Sequence, residues 1–511
     1  ARAFFGPCFP SPGAKMRWIG SSKYQSSSVF SSMIRAFARR TSAANDLSTC
    51  PLMPLVFLLL SPGVIFRAAA SSSRGRALLD HDEAWFRDVP EGGAWNALDP
   101  SRPLDDQVSR TTCLASDAFV RAEGSKFTLG GRDFVFAGWN QWEVLEAASD
   151  APPPFRHLPL PGREHVVRQM NEAVANGLKV VRMWAHTITP GHAMQPEPGA
   201  FDEDILEGMD FVMDEARKRG LKIIWAVSDN WYDVGGLNQY VRWSPTARAK
   251  EDFFTDAKVH ELYVRTFETI ATRVNTINGV AYRDDPTIMA WNLANEARCP
   301  GCDPSVMQAW IEKTCAAFKA IDANHLIGVG HEGFHGVGSG MEDRNPGNGG
   351  SRWAAREGQD FLRNAATPCV DYVGVHVWPD DWNLKTVDFL KKYVEEHARD
   401  ANEAIRSPKK PFVLEEFGKI VDRNDPRQNR VNERGGRRTR ERDEYFAAGF
   451  DVAEKLASEG LLAGTLFWHW YDRGVGPGKY GVRSNDSTWA LIEKHAEFMN
   501  TLGGQRAFCE K

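Results

Sequence analysis

The stretch "TIMAWNLANEARC" (287–299) begins as an apolar run suited to a buried strand and stops on an amide and a carboxylate, Asn295-Glu296. A strand heading into a core has no reason to end on such a pair unless its end is a working surface. The same design recurs along the chain. From residue 116 onward, short apolar β-branched runs alternate with polar loops and helical stretches of 12 to 18 residues. Eight runs fit: "RDFVFAGWN" (132–140), "GLKVVRMWA" (177–185), "GLKIIWAVS" (220–228), "TIMAWNLANE" (287–296), "HLIGVGHE" (325–332), "DYVGVHVW" (371–378), "PFVLEEFG" (411–418) and "AGTLFWHW" (463–470).

Continuous apolar runs, in place of polar–apolar alternation, suit strands covered on both faces in a parallel sheet. Between them lie amphipathic segments such as "REHVVRQMNEAVANG" (163–177) and "DEDILEGMDFVMDEARKRG" (202–220), with Gly177 and Gly220 placed as left-handed helix caps. Eight β/α repeats without a glycine-rich phosphate turn predict an α/β fold of the (β/α)8 TIM-barrel type over residues 116–511, not an open doubly wound sheet.

In such a barrel chemistry gathers at the C-terminal strand ends. Those ends are polar or aromatic on all eight runs: Trp139-Asn140, Arg182 with Trp184, Asp229-Asn230-Trp231, Asn295-Glu296, His331-Glu332, His376 with Trp378, Glu415-Glu416, and Trp468 with Trp470. Singly, each Glu reads as a solvated or salt-bridged loop residue. Together they describe a lined mouth with Glu296, Glu332 and one of Glu415/Glu416 as acids, since neighbours on a strand face opposite ways. Two carboxylates on different strands, among Arg, Asn, His and Trp, suit glycoside hydrolysis: one protonates the leaving oxygen while the other attacks the anomeric carbon or activates water. Arg182 would keep the attacking carboxylate ionised. Trp231, Trp243, Trp382 and Trp468 are candidate sugar platforms.

The composition is that of a soluble globular protein. A formal charge of −5 over 511 residues gives no basic face for a nucleic acid. Eight scattered cysteines fit a few bridges and not a disulfide-held miniprotein. Cys299 and Cys302 have zinc-ligand spacing, but no second pair completes a site, which leaves a local disulfide or two thiols and no metal. Residues 1–45 hold seven Lys/Arg and no acid, and "PLMPLVFLLLSPGVIF" (51–66) precedes "RAAASSS". This is the layout of a secretory signal ending near Ala68–Ala70, with an organellar transit segment as the alternative. The apolar run falls short of the roughly 20 residues needed to span a bilayer, so no stable membrane insertion is expected. Residues 1–80 are therefore assigned to a leader and 81–115 to a linker. Asn485-Asp486-Ser487 is a glycosylation sequon, and the Arg-rich "RQNRVNERGGRRTRER" (427–442) reads as a solvated loop insertion.

With these motifs in order, "TRVNTINGVAYRDDPTIMAWNLANEARC" (272–299), "DNWYDVGGLNQYVRW" (229–243), "EDFFTD" (251–256), "HEGF" (331–334), "HVWPDDW" (376–382), "VLEEFGK" (413–419) and "LFWHW" (466–470) resemble the endo-β-1,4-mannanases of glycoside hydrolase family five. The likeness runs from about Ala118 to His495 and is nearer the plant and fungal mannanases than the cellulases. It implies retention of anomeric configuration, no cofactor, and a mannan, galactomannan or glucomannan substrate for a secreted monomer. By it Glu296 matches the acid/base and Glu416 the nucleophile. Arg182 matches the arginine beside the nucleophile, Asn295 the contact to the sugar 2-hydroxyl, His376 the active-site histidine, and Trp468 the floor under the sugar at the cleavage point. Asn140, Trp184, Trp231, Trp378 and Glu332 complete the expected substrate-binding set. Such relatives also carry a small disulfide at the position of Cys299–Cys302.

Three departures from the family stand out. Ala297 replaces a proline, which should soften the turn after the acid/base. Asn292 stands where a Glu is frequent. Trp378 replaces a tyrosine whose hydroxyl holds the nucleophile, and its indole can donate but not accept. Glu296 is expected to carry a raised pKa, because it must begin protonated. Other activities of the family remain the alternatives: exo-β-mannosidase, β-glucanase or transglycosylase. So does a non-catalytic carbohydrate-binding barrel, which the presence of both acids disfavours.

Overall fold

The computed structural model describes residues 118–151, 162–347, 352–421, 430–431, 437–470 and 480–503, apart from residues 383, 385 and 386. The leader, the linker and most of the Arg-rich insertion lie outside the described residues. Eight parallel strands form one sheet. We number them β1 (Phe136–Asn140), β2 (Val180–Trp184), β3 (Lys222–Ala226), β4 (Ile288–Asn292), β5 (Leu326–Gly328), β6 (Val373–Val377), β7 (Phe412–Phe417) and β8 (Gly464–Phe467). Their order, β5-β4-β3-β2-β1-β8-β7-β6, is that of a barrel, and hydrogen bonds between Asp371 and Ile327 link β5 to the start of β6. The β/α barrel expected from the strand count is the observed fold.

Every residue of the eight strands is buried, and most are apolar, because each faces either the barrel interior or the helix ring. Val180, Ile224, Ala290, Val413 and Leu466 fill the interior, while their neighbours Val181, Ile223, Trp291, Leu414 and Phe467 pack in the outer core. A three-stranded antiparallel sheet, Val120–Glu123, Lys126–Leu129 and Arg132–Asp133, adds Phe127 and Leu129 to that inner core. Thus the run at 132–140 is two elements, with only its second half in the barrel.

Helix starts follow their caps. Asp202 accepts from the amides of Asp204 and Ile205, Asp256 from that of Val259, and Asp303 from that of Ser305 with Pro304 at the first helical position. Gly177 and Gly220 have φ of 76° and 66°, as their assignment to helix ends requires.

Several histidines are buried without a charge partner. Burial pushes His186, His331 and His335 down to about 4. Below pH 6.5 the unfolded chain binds protons at these rings that the folded chain refuses, so stability falls as pH drops from about 6.5 toward 4. Each ring contributes on the order of a few kcal/mol to that loss. The melting temperature should fall over this window, and less steeply in His335→Phe, whose ring nitrogens have no hydrogen-bond partner. An equal slope in the variant would show that this ring stays hydrated.

Candidate active site

Of the strand-end acids, Asp229, Glu296 and Glu416 reach the C-terminal mouth. A cleft of about 560 Å³ is lined there by Trp184, Asp229, Trp231, Tyr232, Asn295, Glu296, Arg298, Trp353, Trp378, Asp381, Trp382, Glu416, Trp468 and Tyr480. Of the residues expected from the sequence, Trp184, Trp231, Asn295, Glu296, Trp378, Trp382, Glu416 and Trp468 line it. Arg182, Asn140, His376 and Glu332 stand behind the wall, and Trp243 packs edge-on to Tyr240 away from it.

Arg182 is the buried hub. Its guanidinium donates to Glu416 Oε1, to Asn140 Oδ1 (3.1 Å), to Asn292 Oδ1 (2.7 Å) and to Asn295 Oδ1 (2.7 Å). Asn295 donates in turn to Asp229 Oδ2 (2.7 Å), and Asn140 to the Glu415 carbonyl (3.0 Å). Asn292, inside β4, therefore serves as an acceptor for arginine. It also donates to Tyr372 Oη (2.8 Å) and Glu415 Oε1 (3.1 Å).

The choice between Glu415 and Glu416 posed by strand alternation proves false. The β6–β7 register slips between Leu414 and Glu416, a β-bulge that turns both carboxylates toward the barrel axis. Glu416 sits on Arg182, whereas Glu415 lies against Tyr372 Oη (2.6 Å), Asn292 and His376, whose Nε2 is 3.5 Å away. Space for it exists because residue 374 is glycine: a Cβ there would come within 2.2 Å of Glu415 Oε2.

Glu296 lies past the end of β4 in a turn with φ of 49°, a left-handed value that a non-glycine residue adopts only when its surroundings hold it. They do. Glu296 N donates to Gly330 O (2.6 Å), Asn295 N to Ser228 O (2.7 Å), and Gln359 Nε2 to Ala297 O (3.2 Å). The Cys299–Cys302 disulfide follows at once, and a second joins Cys315 to Cys369. The softening expected from Ala297 is thus offset by bonds from neighbouring loops.

The Glu296 carboxylate accepts three donors: His376 Nδ1 (2.8 Å) and Trp378 Nε1 (3.2 Å) on Oε1, and Trp231 Nε1 (2.6 Å) on Oε2. Trp378 therefore serves Glu296 and not Glu416, contrary to the expectation drawn from the tyrosine it replaces, because its indole N–H points across the cleft to β4. The expected raised pKa of Glu296 is also not found. Burial pushes this carboxyl up, but the hydrogen bond and charge of His376, helped by Arg298 and Trp231, hold it below the usual range. Burial disfavours a charged His376, yet the Glu416 charge and hydrogen bonds to Glu296 and Glu415 push it up to about 10. Burial raises Glu416 to about 7 against the pull of His376 and Arg182, so Arg182 alone does not hold this carboxyl in the ordinary ionised range, contrary to the expectation from the sequence. Burial acts on Glu415 too, but His376, Arg182 and Tyr372 hold it at about 2. In the free protein the imidazole carries the proton.

Glu332 joins Arg298 (2.6 Å) and Gln359, so it braces Arg298, which lines the cleft beneath Trp231 and Trp353. Arg298, Tyr232, Trp353, Asp381 and Tyr480 were not singled out from the sequence. Only Arg298 carried a signal, its place two residues after Glu296. Ligand atoms of Glu296, His376 and Glu416 lie within 4.8 Å of one another, a spacing a metal could bridge. The hydrogen bond from Arg182 to Glu416 and the proton on His376 make the trio ill suited to a cation.

The family model described as GH family 5 beta-mannosidase-like matches residues 117–479. Mannan endo-1,4-beta-mannosidase 7 of Arabidopsis thaliana is 35% identical over 378 residues, 71% of this chain and 80% of that protein. Mannan endo-1,4-beta-mannosidase 1 of Oryza sativa subsp. japonica is 35% identical over 371 residues, 68% of this chain and 78% of that one. Among solved structures, the endo-beta-1,4-mannanase of Thermotoga petrophila superposes with a TM-score of 0.59 at 29% identity, covering 73% of this chain and 78% of that chain. The endo-1,4-beta-mannanase of Rhizomucor miehei superposes at 0.61 with 24% identity, covering 75% and 100%, and so shares the fold. Eight strands ending on this constellation, together with these matches, establish that the chain belongs to the β-mannosidase-like glycoside hydrolases of family 5.

Proposed function

We propose that the protein is a retaining endo-β-1,4-mannanase that cleaves mannan, galactomannan or glucomannan by double displacement. The observation that carries this reading is the approach of the Glu296 and Glu416 carboxylate oxygens to within 4.8 Å across an open, tryptophan-lined cleft. Retaining enzymes need about 5–5.5 Å between carboxyl groups, and an inverting pair would stand clearly farther apart to admit a water. Glu416, aimed by Arg182, attacks the anomeric carbon while Glu296 protonates the departing oxygen. Glu296 then takes a proton from the water that releases the sugar from Glu416. Because Oε1 is taken by His376 (2.8 Å) and Trp378 (3.2 Å), the acid form carries its proton on Oε2, the oxygen that faces Trp231. Trp468, edge-on to Trp378 and close to Trp184, offers a face to the sugar at the cleavage point.

The polymer is tested by incubating the purified chain with mannan, galactomannan, glucomannan and carboxymethylcellulose. Shortened chains from the three mannose-containing polymers, and little from the cellulose, are the expected outcome. Release of single mannose units only would make the enzyme exo-acting, and release from cellulose alone would overturn the substrate. Among the described residues no helix is long and apolar enough to cross a membrane. The basic, acid-poor leader supports export to a compartment where such polymers lie.

A further inference from the structure

Glu296 Oε1 already accepts from both His376 and Trp378, so Oε2 is the oxygen left to carry the proton to a leaving group. Trp231 Nε1 sits on that oxygen at 2.6 Å. The three donors differ in one respect. His376 is fully buried and Trp378 is nearly so, while Trp231 is 55% exposed on the cleft wall. Of the three, only Trp231 can be displaced by something entering the cleft. Its ring lies 4.9 Å from the Arg298 guanidinium, which Glu332 anchors, so the indole has a fixed surface to slide across.

From this arrangement we infer that Trp231 is a gate on the acid: its indole N–H caps Glu296 in the empty enzyme, and a sugar ring on the leaving-group side displaces it. The inference rests on the assignment of Glu296 as the acid/base. When the indole leaves, Oε2 loses a donor that favours its charged form, and a proton from solvent binds there, forming the O–H that the departing oxygen will receive. Glu296 is thus kept as an unreactive carboxylate until substrate is in place. The other groups facing it do not move in this step: His376 from β6 and Trp378 just past its end, Glu416 and, through it, Arg182, with Arg298, Glu332 and Asp229 around it. Burial pushes Glu296 up, and the indole is one of the contacts that holds it down.

The test is the pH dependence of wild type and Trp231→Phe on a soluble β-1,4-mannopentaose, which keeps an aromatic surface and removes the N–H. The basic limb of kcat/KM reports the free enzyme, and that of kcat the loaded one. In Trp231→Phe the basic limb of kcat/KM should move up by about 0.5–1 pH unit, because the carboxylate has lost a donor. The basic limb of kcat should stay in place, because in the loaded wild type the indole has already left. A platform role alone changes KM without separating the two profiles. Both limbs moving together would show that the hydrogen bond persists with substrate bound, and neither moving would show that it has no hold on the acid; either result overturns the gate. Glu296→Gln separates this from the underlying reading. If that variant keeps wild-type activity, the acid assignment fails; if it is inactive and Trp231→Phe shows no split, the gate alone fails.

Discussion

Replacing Glu416 by alanine should lower kcat on mannan by roughly 10⁴- to 10⁶-fold, the scale seen when a covalent nucleophile is removed. The size follows from what the carboxylate does here. It is the only strand-end acid that both lines the cleft and receives the Arg182 guanidinium, so no neighbour can take its place. Glu415 cannot substitute, because its Oε1 is tied to Tyr372 and Asn292 deeper in the barrel. The cavity left by alanine should admit azide. Azide would then attack the anomeric carbon from the vacated side while Glu296 protonates the leaving oxygen, giving a glycosyl azide of inverted configuration. Recovery of that product identifies the nucleophile chemically. Full activity in Glu416→Ala would remove it from the mechanism.

Arg182→Leu should cost about 3–5 kcal/mol of unfolding free energy, measured by urea denaturation, because breaking a buried ion network leaves uncompensated charge. Arg182 is wholly buried and is, with His376, one of two cations beside two buried carboxylates, Glu415 at 3.9 Å and Glu416. Three asparagine oxygens also lose their donor. Lysine should rescue little, since one ammonium cannot reach acceptors spread around a planar fork. Adding Glu415→Gln to Arg182→Leu should recover part of the loss by removing one stranded charge. A cost under about 1 kcal/mol would mean that water enters the site and does the work of the arginine.

The barrel was readable in the sequence for one physical reason: strands covered on two faces are mostly apolar until they near the mouth. Polar residues therefore gather toward their ends and mark Glu296, Glu332 and the Glu415-Glu416 pair as candidates, while the choice of Glu416 came from the family resemblance. "TIMAWNLANEARC" announced Glu296 in that way. The bulge in β7 was not readable, because an inserted residue changes register without changing composition. The same holds for Trp378. Its identity was plain, but which carboxylate its N–H reaches depends on how β6 and the β4 loop cross in space. Arg298, Trp353, Asp381 and Tyr480 come from loops whose path is set by tertiary contacts and leaves no period in the chain. The pKa expectation failed because it considered Glu296 alone, whereas the proton is shared among buried groups from three strands.

The slipped register of β7 also constrains how this site can change over time. In β7 the two carboxylates face inward only while the strand is one residue out of phase with β6. Loss or gain of a single residue there resets the phase, and one acid turns toward the helices. Point substitution can vary the reach and charge of the pair in small steps, but its orientation moves only in whole steps, like a reading frame.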